Sequence, residues 1–90
     1  FILGGEVEKF EESFASFCGT RYAVGTASGL DALTLSLLAL GVGRGDEVIV
    51  PANTFVATTL AIVRTGARPV LVDCDPETYN IDPAQIEARL

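Results

Sequence analysis

Residues 47–73 read EVIVPANTFVATTLAIVRTGARPVLVD, and their hydrophobic pattern predicts a strand, a helix and a second strand. Glu47-Val48-Ile49-Val50 is a β-branched run closed by Pro51, which reads as a buried strand. The Pro-Ala-Asn-Thr turn follows, where Asn53 or Thr54 can cap a helix that runs to about Arg64 and stops at Gly66. Arg68 to Asp73 is a further apolar run. Neither run alternates apolar with polar residues, so both faces of the sheet are expected to be covered. Covered strands joined through a helix are parallel, and a right-handed crossover places them in an open α/β sheet.

The same alternation extends on both sides. Val7, Phe10, Phe14 and Phe17 recur every three or four residues with Glu and Lys between them, which predicts an amphipathic helix from Gly5 to Cys18, ended by Gly19. Tyr22-Ala23-Val24 predicts a short buried strand. Leu30, Leu33, Leu37 and Leu40 predict a second helix that stops at Gly41, and Gly43 to Asp46 form a turn. Asp75 to Thr78 make another turn, in which the Asp75 carboxylate accepts backbone N–H groups. Asp82 and Pro83 open a last helix as N-cap and first helical residue. The expected order is α-β-α-β-α-β-α, with mainly parallel strands in an open three-layer sandwich.

Ninety residues make at most one domain, and a domain of that size buries little more than half of its unfolded surface. The chain opens on Phe1 without an initiator Met and ends at Arg89-Leu90 within a predicted helix. It is therefore expected to be a piece of a longer protein. Three strands with two apolar faces would also leave raw sheet edges. The net charge of −6 and the scatter of Lys9, Arg21, Arg44, Arg64, Arg68 and Arg89 disfavour nucleic-acid binding. No run is long and apolar enough to span a membrane, and FILGG lacks the basic region of a signal peptide. With no His, the chain lacks the commonest general base and the commonest metal ligand. Cys18 and Cys74 have no metal-binding spacing and read as reduced thiols. No metal is expected, and the expected location is cytoplasmic.

Ligands of open parallel sheets collect beyond the carboxyl ends of the strands. Three segments stand there: Gly25-Thr26-Ala27-Ser28-Gly29-Leu30-Asp31, Pro51-Ala52-Asn53-Thr54-Phe55 and Asp73-Cys74-Asp75. In the first, free N–H groups of Gly29, Leu30 and Asp31 point out with the positive end of the helix dipole, and the hydroxyls of Ser28 and Thr26 can add donors. The segment is neither GxGxxG nor GxxxxGK[ST], and it has no Lys. Taken alone it reads first as a capping turn and second as an anion site. Phe55 is either a ring exposed at a strand end, able to stack on a flat heteroaromatic ligand, or a core residue under its helix. Asp73 and Asp75 read as turn residues rather than as an acid/base pair.

The strings GGEVEKFEESFASFCGTRYAVGTASGLDAL, GVGRGDEVIVPANTFVATTLAI and VDCDPETYNID together resemble the DegT/DnrJ/EryC1/StrS family over essentially all of the chain. The resemblance implies the large domain of a fold type I pyridoxal-phosphate transferase. Residues 1–90 would be the N-terminal portion of that domain, without the catalytic Lys segment and the C-terminal small domain. It implies amino-group transfer, usually from glutamate, to a nucleotide-linked keto-sugar in amino-sugar, cell-surface polysaccharide or antibiotic biosynthesis, by a homodimer. It also implies that Ser28, Gly29, Leu30 and Asp31 hold the phosphate of pyridoxal 5′-phosphate, largely through backbone N–H groups. Phe55 would stack on the pyridine ring, with Asn53 and Thr54 at the pocket edge and Gly4 and Gly5 in a loop near the substrate. Leu30 stands where the family commonly has Thr, which removes one hydroxyl donor.

The family's Schiff-base Lys and its Asp partner to the pyridinium nitrogen both fall beyond residue 90. Lys9, the one Lys, matches no catalytic position, so the piece alone is expected to be inactive and poorly folded. A dehydratase of the same family and a non-catalytic phosphate-binding module are the alternatives. A dinucleotide-binding dehydrogenase fits less well, because Val50 and Pro51 stand where its ribose-binding acid would lie.

Overall fold

The structure, a computed structural model, describes residues 4–90. Six elements follow one another: α1 (Gly4–Cys18), α2 (Gly29–Ala39), β1 (Glu47–Pro51), α3 (Val56–Arg64), β2 (Arg68–Val72) and α4 (Pro83–Arg89). Strands β1 and β2 pair in parallel from Glu47 opposite Arg68 to Pro51 opposite Val72, with α3 as the crossover. The strand–helix–strand unit expected for 47–73 is present, and the class is α/β.

The helix ends follow from local chemistry. At the end of α1, Gly19 adopts φ 74° and donates to the Ser16 carbonyl at 3.2 Å, while the Thr20 N–H reaches the Ala15 carbonyl at 2.9 Å. Gly41, at φ 83°, closes α2 in the same way, with bonds from Gly41 to Leu38 and from Val42 to Leu37, both 3.0 Å. Each pair satisfies carbonyls that the last turn leaves without partners, in a left-handed conformation that costs glycine little. The Asp82 carboxylate accepts the Ala84 N–H at 3.0 Å, and Pro83 follows as the first residue of α4.

The core lies between α3 and the sheet. Val50 and Ile62 are each 2% exposed and pack with buried Ala67, and Leu37, Val42 and Val48 close around them. Val48 and Val50, two residues apart on β1, present one face of the strand to α3. Helix α2 packs against α3, which in turn packs on both strands. Helix α1 reaches this body through the connector that follows it: the Glu11 carboxylate accepts the Gly25 N–H at 2.6 Å.

Two sequence expectations change. Tyr22 to Val24 forms no strand, and Tyr22 and Val24 are 78% and 79% exposed. A strand exists only as a paired ladder, and this segment has no paired neighbour among the described residues. Neither Asn53 nor Thr54 caps α3. Phe55 holds the capping position with φ −64° and ψ 147°, and no side chain caps the helix there. Among the described residues, no helix is long and apolar enough to cross a membrane.

Candidate functional site

The site begins at the first turn of α2. Ser28 is extended, at φ −160° and ψ 165°, and its Oγ accepts the Asp31 N–H at 3.1 Å. Its carbonyl takes the first helical bond, from the Ala32 N–H at 3.0 Å. Gly29 and Leu30 are the two helical residues between these fixed points. Their N–H groups precede any possible helical acceptor and find no other partner among the described residues. Two donors therefore point out of the helix with the positive end of its dipole. A Cβ built on Gly29 would meet nothing within 4 Å.

Asp31 and Thr26 play different parts from those expected. The Asp31 N–H is already taken by Ser28, and its carboxylate lies 3.5 Å from the Arg64 guanidinium. This exposed pair partly offsets a negative charge that would otherwise oppose an anion at the helix end. The Thr26 hydroxyl donates to the Ser28 carbonyl at 3.0 Å, so its proton serves the turn and is not available to an anion. The Ser28 hydroxyl proton is the side-chain donor that stays free.

Phe55 comes from the other side. The ladder continues past β1 with the Ala52 N–H bonded to the Val72 carbonyl at 2.8 Å. The Thr54 N–H then turns back to the Pro51 carbonyl at 3.3 Å. That turn delivers Phe55 to the start of α3 with its ring 78% exposed. Among the described residues Phe55 is therefore not part of the core. Asn53 and Thr54 point to other partners. The Asn53 amide donates to the Tyr79 carbonyl at 2.9 Å, and the Thr54 and Thr58 hydroxyls bond each other at 2.9 Å.

Ser28, Gly29 and Leu30 and the Phe55 ring line one open groove of about 790 Å³ between the heads of α2 and α3. Leu33, Val56 and Leu60 form its apolar wall. Sequence reasoning did not single out these three, although Leu33 follows Gly29 by four residues and Leu60 follows Val56 by four, the spacing of one helix face. The groove surface is almost wholly apolar, with the first turn of α2 and Phe55 among its lining residues. Apolar lining suits a flat aromatic body, the unpartnered N–H groups at the start of α2 suit an anion, and the volume lies in the range of small-molecule sites. No basic side chain lines it, so the anion would be held by backbone dipoles.

Asp31, Asn53 and Thr54 do not line this groove, nor do Asp73 and Asp75. Asp75 has the turn role expected of it: its carboxylate accepts the N–H groups of Glu77 at 2.8 Å and Thr78 at 3.3 Å. Gly4 and Gly5 form the first turn of α1 instead of a loop ahead of it, and they do not line the groove either.

The chain matches the profile of the DegT/DnrJ/EryC1/StrS aminotransferase family over residues 1–90. It is 59% identical, over all 90 residues, to the dTDP-3-amino-3,6-dideoxy-alpha-D-galactopyranose transaminase of Aneurinibacillus thermoaerophilus, of which it covers 25%. Its backbone is similar to that of DesV from S. venezuelae, with a TM-score of 0.88 at 48% identity over 94% of this chain and 23% of that one. A Bacillus subtilis structure, NtdA with bound PMP cofactor, gives a TM-score of 0.88 at 45% identity over 93% of this chain and 19% of that one. The chain thus spans about a quarter of the length of the curated relatives it matches.

Proposed function

Because the chain belongs to the DegT/DnrJ/EryC1/StrS aminotransferase family, we propose that it supplies the phosphate and ring contacts of a pyridoxal-phosphate enzyme that aminates a nucleotide-linked keto-sugar. The amino donor is an amino acid, glutamate by preference. The observation that carries this reading is the convergence of Ser28, Gly29 and Leu30 with the Phe55 ring around one groove. When bound, pyridoxal phosphate supplies the electron sink and the carrier for the amino group.

The chain's own residues bind and orient. The Gly29 and Leu30 N–H groups and the Ser28 hydroxyl hold the phosphate, without a lysine or arginine at that end. The Phe55 ring would stack on one face of the pyridine, a contact worth roughly 1 kcal/mol beyond the area it buries. Leu33, Val56 and Leu60 keep water from the same face. Apart from backbone and hydroxyl donors the lining is apolar, so no residue of this groove holds or moves a proton during the reaction. That task falls to a lysine of the longer protein, in which residues 1–90 are the N-terminal portion of the cofactor-binding domain. We further propose a cytoplasmic homodimer.

The test uses the full-length protein with added pyridoxal phosphate. A visible absorption band, made permanent on one lysine by borohydride reduction, is expected for the aminotransferase. Cofactor uptake without any lysine adduct would favour the dehydratase of the same family. No uptake at all would leave a phosphate-binding module and overturn the proposal.

A further inference from the structure

We infer that Glu11 is a positioning residue for the phosphate-binding turn, an inference that rests on the function proposed above. The turn 25–28 is tied to α1 from outside its own segment. Among the described residues, Tyr22 to Thr26 pair with no strand. Glu11 provides the hold from α1, fourteen residues earlier: its Oε2 accepts the Gly25 N–H at 2.6 Å. A carboxylate acceptor makes this bond stronger than one between neutral groups.

A Cβ at Gly25 would lie 3.4 Å from the same Oε2 and 3.7 Å from Val7 Cγ1, in van der Waals contact with both, so α1 lies close against the turn here. From Gly25 the constraint passes along the turn. The Thr26 hydroxyl grips the Ser28 carbonyl at 3.0 Å, and the Ser28 Oγ accepts the Asp31 N–H at 3.1 Å. The position of the Gly29 and Leu30 donors therefore depends on a carboxylate that touches neither the groove nor the cofactor. Glu11 does not line the groove. Its effect should fall on the phosphate end alone, because Phe55 is carried by a different turn, after β1.

Pyridoxal phosphate and pyridoxal, which lacks the phosphate, separate the two ends of the site. Dissociation constants for both are measured by absorbance titration on the full-length protein and its variants. Glu11→Ala is expected to weaken pyridoxal phosphate about tenfold while leaving pyridoxal within about twofold. Glu11→Gln keeps an acceptor oxygen and should restore most of the loss. Glu11→Asp, which keeps the carboxylate but shortens its reach by one methylene, should show the same selectivity at smaller size, and it carries the test if Glu11→Ala does not fold. Parallel losses for the two ligands, or no loss for either, would overturn the inference. A wild-type protein that binds neither ligand would remove the proposed function and this inference together.

Discussion

Ser28 has two duties that pull on the same atom group. Its Oγ accepts the Asp31 N–H, which stabilises the start of α2, and its hydroxyl proton is free to meet an anion. Substitution can separate these duties. Ser28→Ala should cost about 1 kcal/mol of stability through the lost cap, seen as a lower melting temperature of the full-length protein. Ser28→Asp keeps a capping acceptor but places a carboxylate beside the phosphate. It should hold the melting temperature and weaken pyridoxal phosphate by at least about tenfold. Equal affinity in the Ser28→Asp variant would show that the phosphate does not sit at this helix end. This double duty explains how much of the site could be read in advance. The small residues at 25–29 marked the turn, but a cap and an anion site look alike in sequence. The family resemblance is what favours the anion reading. The partners of Asp31, Asn53 and Thr54 could not be read, because Arg64, Tyr79 and Thr58 reach them only once the chain is folded.

The elements that could be read most fully are those whose signals are local. Gly19 and Gly41 end their helices where the periodicity stops, and Asp82 with Pro83 opens α4. The strand–helix–strand unit 47–72 was equally legible, since two unbroken apolar runs flank one helical period. Tyr22 to Val24 has the same composition and yet forms no strand, because strand formation is a property of a pair. The start of α3 was misread for a related reason: the turn after β1 is set by its own backbone bonds, so the helix begins at Val56 without a polar cap. What holds α3 is burial. Ile62 is 2% exposed between β1 and the connector to β2, and Ile62→Ala should cost about 2–4 kcal/mol by loss of packing. Calorimetry of the full-length variant checks this, and a cost below about 1 kcal/mol would mean that α3 is not seated on the sheet through Ile62.

Across the whole chain, packing is uneven. The Cα radius of gyration is 16.1 Å, against about 12 Å for a compact domain of ninety residues. The difference lies in apolar faces that these residues leave open. Phe10 and Phe14 stack on each other on α1, with ring centroids 5.5 Å apart, yet both rings are exposed, as are Phe17 and Leu71. Exposed apolar area on this scale marks surfaces that meet other protein. The small core around Val50 and Ile62 therefore positions the heads of α2 and α3, while the groove between them stays open on one side. The proposed cofactor site is tested most directly on the full-length protein. A crystal structure of the full-length protein with pyridoxal phosphate should place phosphate oxygens about 3 Å from the Gly29 and Leu30 nitrogens, with the pyridine ring against Phe55. A cofactor bound with its phosphate away from this helix end, or with Phe55 clear of the ring, would contradict the site described for this chain.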